Sequence, residues 1–196
     1  MKLLRWSRIS AKDILKELNL TDPPFDPFRI AELMGVSVKN NLDLDKISND
    51  GMIYLNEKGE PEIWINPIQP PKRQIFTLAH ELGHLVYHVL PDIDKFKDPI
   101  QDDYSTLYRN GARSTQETLA NRFAANLLMP VGAMNDFIDK LFEKAGGKRN
   151  LTRRNVIDAL TGSFNVSKDA IIIRLKRLGA IPQDYEYDDE SKQKME

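Results

Sequence analysis

The segment Phe76-Thr77-Leu78-Ala79-His80-Glu81-Leu82-Gly83-His84 contains the pattern H-E-x-x-H. Residues four positions apart lie one turn apart on the same face of an α-helix, so both imidazoles can reach a single ion. Zinc is bound by neutral imidazole nitrogens at about 2.0–2.1 Å. The chain has only three histidines, and two of them frame this pattern. We therefore predict a helix that supplies two ligands, His80 and His84, to one zinc ion per chain.

The hydrophobic pattern around this segment predicts the helix itself. With about 100° per residue, the apolar side chains fall on one stripe, and the three histidines, including His88, fall on roughly the opposite side. The stripe consists of Ile75, Leu78, Ala79, Leu82, Leu85, Val86 and Val89. Pro70 and Pro71 precede this region and Pro91 follows it, so we predict a helix over about residues 72–89.

A catalytic zinc site needs a third protein ligand and an open position for water. A second helix, predicted to begin at Ser114 and to stop at Pro130, carries Glu117 on the same face as its apolar residues. A carboxylate directed at a core requires a partner or a metal, so Glu117 is the favoured third ligand. Alternatively, Ser114 and Glu117 form a capping box. Asp102 and Asp103 are weaker candidates, because they lie in a polar connection.

The remaining elements indicate an α+β fold, with helices grouped around one small sheet. Ser10 followed by Asp13, and Asp26 followed by Pro27, are typical of helix starts. Two β-like runs, 52–56 and 62–66, are separated by a turn with Gly59 and predict a hairpin. Near the end of the chain, two helices joined by a turn at 164–167 look like a helix-turn-helix.

We predict three regions along the chain. Residues 1–146 form the core domain with the N-terminal helices, and 147–181 form the helix-turn-helix-like segment packed on that core. Residues 182–196 are acidic and polar and are predicted to be a disordered tail. The stretch 91–113 is polar with weak periodicity, which is typical of a functional lid or a mobile loop.

Composition restricts the class of protein. The chain has no cysteine, which excludes a disulfide scaffold and any thiolate metal site. No apolar run approaches the ~20 residues of a membrane span, and the N-terminus lacks a signal-peptide pattern, so we expect a cytoplasmic protein without a membrane partner. The net charge of −1 creates no field that favours nucleic acid.

A local cluster of basic residues is nevertheless a candidate surface for binding nucleic acid. Eight basic and two acidic residues lie between positions 148 and 177. These side chains can contact phosphates, hold a protein substrate, or form an ordinary solvated surface. The pattern alone leaves all three interpretations open, and we treat nucleic-acid binding as the least favoured.

The chain resembles the ImmA/IrrE family of metallo-endopeptidases. The resemblance lies in the segment around His80-Glu81-Leu82-Gly83-His84 and in Glu117-Thr118-Leu119-Ala120-Asn121-Arg122-Phe123-Ala124-Ala125-Asn126-Leu127-Leu128-Met129-Pro130. Weaker likenesses occur at Ile63-Trp64-Ile65-Asn66 and between Asp26 and Gly35, and the resemblance extends over about residues 10–180. It implies a minimal thermolysin-like (gluzincin, zincin-like) core and proteolysis of a partner regulator, often a helix-turn-helix repressor.

The resemblance also implies residue roles. In metal-assisted peptide hydrolysis Glu81 is the general base, because it adjoins His80 and can take a proton from water. Asn121 occupies a place where wider gluzincins often have an acidic residue that holds a ligand histidine. It is therefore a second-shell candidate, although an amide raises ligand basicity less than a carboxylate does. His88 is the other second-shell candidate, since a fourth protein ligand would exclude water.

Several alternatives stay open at this point. His88, Tyr87, Tyr104 and Tyr108 are all candidates for stabilising an oxyanion, and spacing singles out none of them. The 62–66 strand either binds substrate by β-augmentation or is a plain core strand. Gly83, which costs a helix about 1 kcal/mol relative to alanine, indicates either a close backbone approach or tolerance at an exposed position. The alternative functions are a weakly catalytic or non-catalytic regulator that binds a partner or DNA, or the toxin of a paired system.

Overall fold

The computed structural model describes residues 2–96, 98–102 and 115–187, without the side chains of Lys2, Gln101 and Asp102. The chain forms two compact units. The first holds the described residues up to Leu20 and from Phe25 to Leu128, and the second holds Thr21–Pro24 and the described residues from Met129 onward. The predicted division at residue 146 stays a prediction, as does the predicted tail, of which 188–196 lie outside the described residues.

The first unit contains a sheet that confirms the predicted hairpin. Its strands in the described residues are β1 (Ser37–Lys39), β2 (Gly51–Leu55), β3 (Pro61–Ile65) and β4 (Ile100–Asp102), in the order β1-β3-β2-β4. β2 and β3 are antiparallel, with Ile53 opposite Ile63. Gly59 adopts φ +72° in the turn between them, a conformation that glycine reaches without steric cost.

The position of β3 excludes one expectation. β3 pairs with β1 in parallel and with β2 antiparallel, so both of its edges are occupied. A peptide adds to a sheet only at an exposed edge. Of the two alternatives left open for the 62–66 strand, β-augmentation is therefore excluded, and β3 is a plain core strand. β4 lies inside the polar stretch for which no strand was predicted.

Two helices near the N-terminus begin where the capping signals predict. Helix α1 (Ala11–Glu17) begins after Ser10, whose Oγ accepts a hydrogen bond from the Asp13 N–H at 3.2 Å. Helix α2 (Pro27–Met34) begins after Asp26, whose carboxylate accepts one from the Phe28 N–H.

The predicted histidine-bearing helix is the centre of the first unit. Helix α3 (Pro71–His84) contacts β2, β3 and helix α4 (Thr115–Leu128), and every residue from Thr77 to His84 is buried. The chain continues as a π-helical turn, Leu85–Val89, and a 3-10 segment, Leu90–Lys95. The predicted helix is therefore confirmed, but its last turn is not α-helical. Pro91 explains the change, because it lacks an N–H and its ring clashes with an α-helical carbonyl four residues earlier.

The second unit contains three α-helices in its described residues, α5 (Val131–Lys144), α6 (Arg153–Ser163) and α7 (Lys168–Arg177), and a short 3-10 helix, Lys148–Asn150. Thr152 caps α6 and Ser167 caps α7, so the predicted helix pair with a turn at 164–167 is confirmed. Phe164 is buried in this turn and meets the Phe137 ring edge-on at 6.0 Å. The α+β fold class is confirmed as well. Among the described helices, none is long and apolar enough to cross a membrane.

Candidate metal centre

The structure brings His80, His84 and Glu117 together. The Nε2 atoms of the two histidines are 3.0 Å apart. Glu117 Oε2 lies 3.2 Å from His80 Nε2, and Glu117 Oε1 lies 3.2 Å from His84 Nε2. Both imidazoles are buried, whereas the Glu117 side chain is 19% exposed. In the described part of the chain these three residues are the group that could hold a metal ion.

The two histidines hold Glu117 in its anionic form. Hydrogen bonds from His80 and then from His84 keep the pKa of the Glu117 carboxyl far below its usual range, although burial opposes this shift. The carboxylate is therefore charged throughout the neutral range, which is the form that binds a metal.

A close approach of two helices makes this convergence possible. A Cβ built on Gly83 would lie 2.9 Å from Ala120 Cα, 3.0 Å from Ala120 O and 3.1 Å from Phe123 Cβ. Glu117 precedes Ala120 by three residues on α4, and His80 precedes Gly83 by three on α3, so this contact sets the distance between the ligands. The close-approach interpretation of Gly83 is confirmed.

We expect Gly83→Ala to destabilise the protein and to weaken metal binding. Alanine favours an exposed helix by about 1 kcal/mol, but here the methyl group meets main-chain atoms that cannot rotate away. Overpacking of this kind typically costs about 1–3 kcal/mol, and separation of α3 from α4 moves Glu117 away from the histidines. Thermal unfolding of the metal-free protein and zinc titration would measure the two effects.

Gly162→Ala in α6 is the matched control, since nothing lies within 4 Å of its Cβ position. It should leave the melting temperature equal or higher and zinc affinity unchanged. Equal stability and equal zinc affinity of the Gly83→Ala protein would contradict the role given to this contact.

His88 lies beside His84, away from the Glu117 carboxylate. Its Nδ1 is 3.0 Å from Nδ1 of His84, while Nε2 of His84 is the atom that faces Glu117. Burial, and then the electrostatic interaction with the neighbouring His84 ring, lower the pKa of His88 to about 4. His88 is therefore neutral at pH 7, and its Nδ1 can accept a hydrogen bond from the Nδ1–H of His84. A neutral His84 in this tautomer has its Nε2 lone pair available for a metal, which would replace the hydrogen bond to Glu117.

Glu81 is completely buried on α3. It lies one turn after Thr77, and both side chains face Gly51 at the start of β2. Neither Thr77 nor Gly51 is predicted from the sequence as part of the site. A glycine within a strand pattern often marks a close approach of another group, and that signal could have identified Gly51.

Of the other predicted site residues, Asn121 and Tyr87 have side chains in the described part of the chain. In the described part of the chain, Asn121 makes no hydrogen bond to His80 or His84, and its second-shell role stays a prediction. Tyr87 meets the Phe123 ring edge-on at 5.8 Å. The side chain of Asp102 and the whole of Asp103, Tyr104, Tyr108 and Ser114 lie outside the described residues.

Part of the basic cluster at 148–177 is engaged within the second unit. Arg174 is buried and donates two hydrogen bonds to the Met129 carbonyl, at 2.9 and 3.2 Å. Lys168 lies 3.6 Å above the ring of Tyr187 and 3.2 Å from Asp158, and Arg154 also lies over that ring. These three side chains have structural partners, which reduces the charge that the cluster can offer to phosphates.

Comparison with known proteins finds relatives among metalloproteases. Residues 31–176 match the peptidase M78 family model, described as the IrrE N-terminal-like domain. The chain is 33% identical over 108 residues to a radiation response metalloprotease, IrrE, of Deinococcus radiodurans, and the match covers 54% of this chain and 30% of the relative. IrrE of Deinococcus deserti is 34% identical over 108 residues, with 54% of this chain and 36% of the relative covered. The chain thus spans about a third of the length of these curated relatives.

A solved structure shares the fold. A Mycobacterium tuberculosis transcriptional regulator superposes with a TM-score of 0.50 at 21% identity, over 85% of this chain and 45% of the other. This likeness concerns the fold alone.

Proposed function

Because the chain belongs to the IrrE N-terminal-like domain family of peptidases, we propose that it is a zinc-dependent endopeptidase that hydrolyses a peptide bond in a protein substrate. The observation that carries the proposal is the convergence of two imidazole nitrogens and one carboxylate at 3.0–3.2 Å. A glutamate, Glu81, directly follows the first of these histidines on the same helix.

The three side chains fit zinc by type and by spacing. Two neutral imidazoles and one carboxylate are the donor set of many catalytic zinc sites, which keep a fourth position for water. Ligands about 2.0–2.1 Å from a tetrahedral zinc stand about 3.3 Å from one another. The ligand atoms here are already close to that separation. His80, His84 and Glu117 would hold the ion, and His88 would orient the His84 ring.

Each residue then has a distinct task in hydrolysis. When bound, zinc supplies Lewis acidity, which lowers the pKa of water at the open position and polarises the scissile carbonyl. Glu81 accepts a proton from the water whose oxygen attacks the carbonyl carbon. As the carbon–nitrogen bond breaks, Glu81 transfers that proton to the leaving amine nitrogen. Glu117 stays anionic and offsets positive charge in the site.

The resemblance to the ImmA/IrrE family supports a finer proposal, that the substrate is a transcriptional repressor of the helix-turn-helix type. The test uses the purified chain, stripped of metal with a chelator and then reloaded with zinc, and a repressor encoded beside it. We expect the zinc-loaded chain to cut the repressor at one or few positions, identified by mass spectrometry, and the stripped chain to leave it intact.

Two results of this experiment would count against the proposal. Cleavage at the same rate by stripped and reloaded protein would contradict the metal-dependent mechanism. Zinc-dependent cleavage of an unstructured control protein, with the repressor intact, would retain the peptidase but exclude the repressor as its substrate.

A further inference from the structure

One face of α3 packs against the start of strand β2. Arg73, Thr77 and Glu81 are spaced at i, i+4 and i+8, which places them in a row along the helix. Arg73 forms an ion pair with Asp50, with 2.5 Å between Nη2 and Oδ2. Thr77 and Glu81 both contact the next residue, Gly51. The histidines occupy a neighbouring row of the same helix.

Gly51 leaves no space for a side chain. A Cβ built on it would lie 2.5 Å from Thr77 Cγ2, 2.8 Å from Glu81 Oε1 and 3.3 Å from Glu81 Cγ. Real Cβ atoms essentially never approach other heavy atoms as closely as the first two distances. An added methyl group would therefore force either the strand or the two helix side chains to move.

The strand is fixed on both sides. Gly51 is opposite Ile65 of β3 and opposite Asp102 of β4, so its backbone lies between two hydrogen-bonded neighbours. The Asp50 carbonyl also accepts a hydrogen bond from the Asn66 N–H at 3.0 Å. Together with the ion pair to Arg73, these contacts hold the residue pair 50–51 against α3.

The helix side chains have little room either. Thr77 is 1% exposed and Glu81 is 0% exposed. Threonine branches at Cβ, which restricts its rotamers in a helix. The methyl group would press on the strand backbone, on Thr77 and on Glu81. The Glu81 carboxylate is the end of the longest side chain among them, so it would move most easily.

We infer that Gly51 is a positioning residue for Glu81: the absence of a side chain at the start of β2 leaves the space that the carboxylate occupies, and the fixed strand holds the carboxylate there. This inference rests on the proposed function, in which Glu81 is the general base. It makes the start of β2 part of the proposed active site, although Gly51 itself supplies neither a metal ligand nor a proton acceptor.

The first test does not depend on activity. Thermal unfolding of the metal-free protein is measured for wild type, Gly51→Ala, Glu81→Ala and the double variant. We expect Gly51→Ala to lower the melting temperature by less in the Glu81→Ala background, because the shortened side chain leaves room for the new methyl group. An equal loss in both backgrounds would overturn the inference.

The second test separates positioning from metal binding. We expect Gly51→Ala to lower kcat by about 100-fold, a typical effect of a 1 Å misplacement, with KM and zinc affinity within about twofold of wild type. Adding Thr77→Ser removes the closest contact and should restore part of the lost kcat. Gly132→Ala in α5 is the matched control, since nothing lies within 4 Å of its Cβ position.

The outcomes distinguish the inference from the function on which it rests. If the enzyme is active and zinc-dependent but Gly51→Ala has the kcat of wild type, the positioning role of Gly51 is wrong and the proposed function stands. If Gly51→Ala lost zinc binding as well as kcat, and Thr77→Ser restored neither, Gly51 would have a general role in stability and no specific role in positioning Glu81. An inactive zinc-loaded wild type would contradict the proposed function and any positioning role with it.

Discussion

Replacing Glu81 by glutamine is expected to lower kcat by about 10²–10⁴-fold, the usual contribution of a general base. Glutamine has nearly the shape of glutamate, but its amide cannot accept a proton from water. Zinc affinity should stay within about threefold of wild type, because Glu81 is outside the group of three residues that can hold the ion. The variant would thus separate proton transfer from metal binding.

The measurement is the rate of substrate cleavage by zinc-saturated protein, with bound zinc quantified on the same sample. Glu57→Gln is the matched control: Glu57 is exposed in the turn between β2 and β3, and we expect this variant to cleave at the wild-type rate. Wild-type cleavage by the Glu81→Gln protein would remove Glu81 from the mechanism. It would favour the alternative in which this fold binds a partner with little turnover.

Glu117→Gln is expected to weaken zinc binding by more than about 100-fold and to abolish cleavage at limiting zinc. The carboxylate is the only anionic group among the three candidate ligands in the described part of the chain. Its pKa is held far below the usual range, so the charge is present throughout the neutral range. A neutral amide oxygen loses the charge attraction to the ion. Competition with a chromophoric chelator would give the dissociation constants.

The zinc affinity of His88→Leu is the comparison for the affinity lost in Glu117→Gln. His88 touches His84 through the ring nitrogen that faces away from Glu117, so its removal should weaken zinc binding by about 10–100-fold, the range typical of an outer hydrogen-bond partner. Tyr87→Phe, one residue earlier, should leave zinc affinity unchanged. If His88→Leu lost more affinity than Glu117→Gln, the assignment of Glu117 as third ligand would be wrong.

Local signals in the sequence predicted most of the secondary structure. Ser10 and Asp26 cap α1 and α2, and Gly59 forms the turn between β2 and β3. The apolar stripe that includes Leu78, Ala79 and Leu82 predicted the helix α3, although the opposite side with His80 and His84 is buried as well. Each of these features depends on residues within one or two turns of one another, where short-range sterics and hydrogen bonds dominate.

The spacing of the histidines also predicts that they share one helix face, because helix geometry alone decides it. Features that depend on distant residues were predicted less well. Strands β1 and β4 are short, and β4 lies in a polar stretch without alternation, so only pairing with β2 defines it. The central position of β3, which excludes β-augmentation there, follows from the parallel partner β1 and not from its own sequence.

By itself the sequence determined the ligand set of a candidate zinc site. This set consists of two imidazoles one helical turn apart and a carboxylate on a second helix, later in the chain. Only the tertiary structure decided the distances within that site. Contact of Gly83 with the Ala120 backbone brings Glu117 within 3.2 Å of both rings, and the fixed start of β2 at Gly51 defines the space for Glu81. Helix periodicity is a local property, whereas the separation between two helices, or between a helix and a strand, depends on close packing of side chains that are remote in sequence.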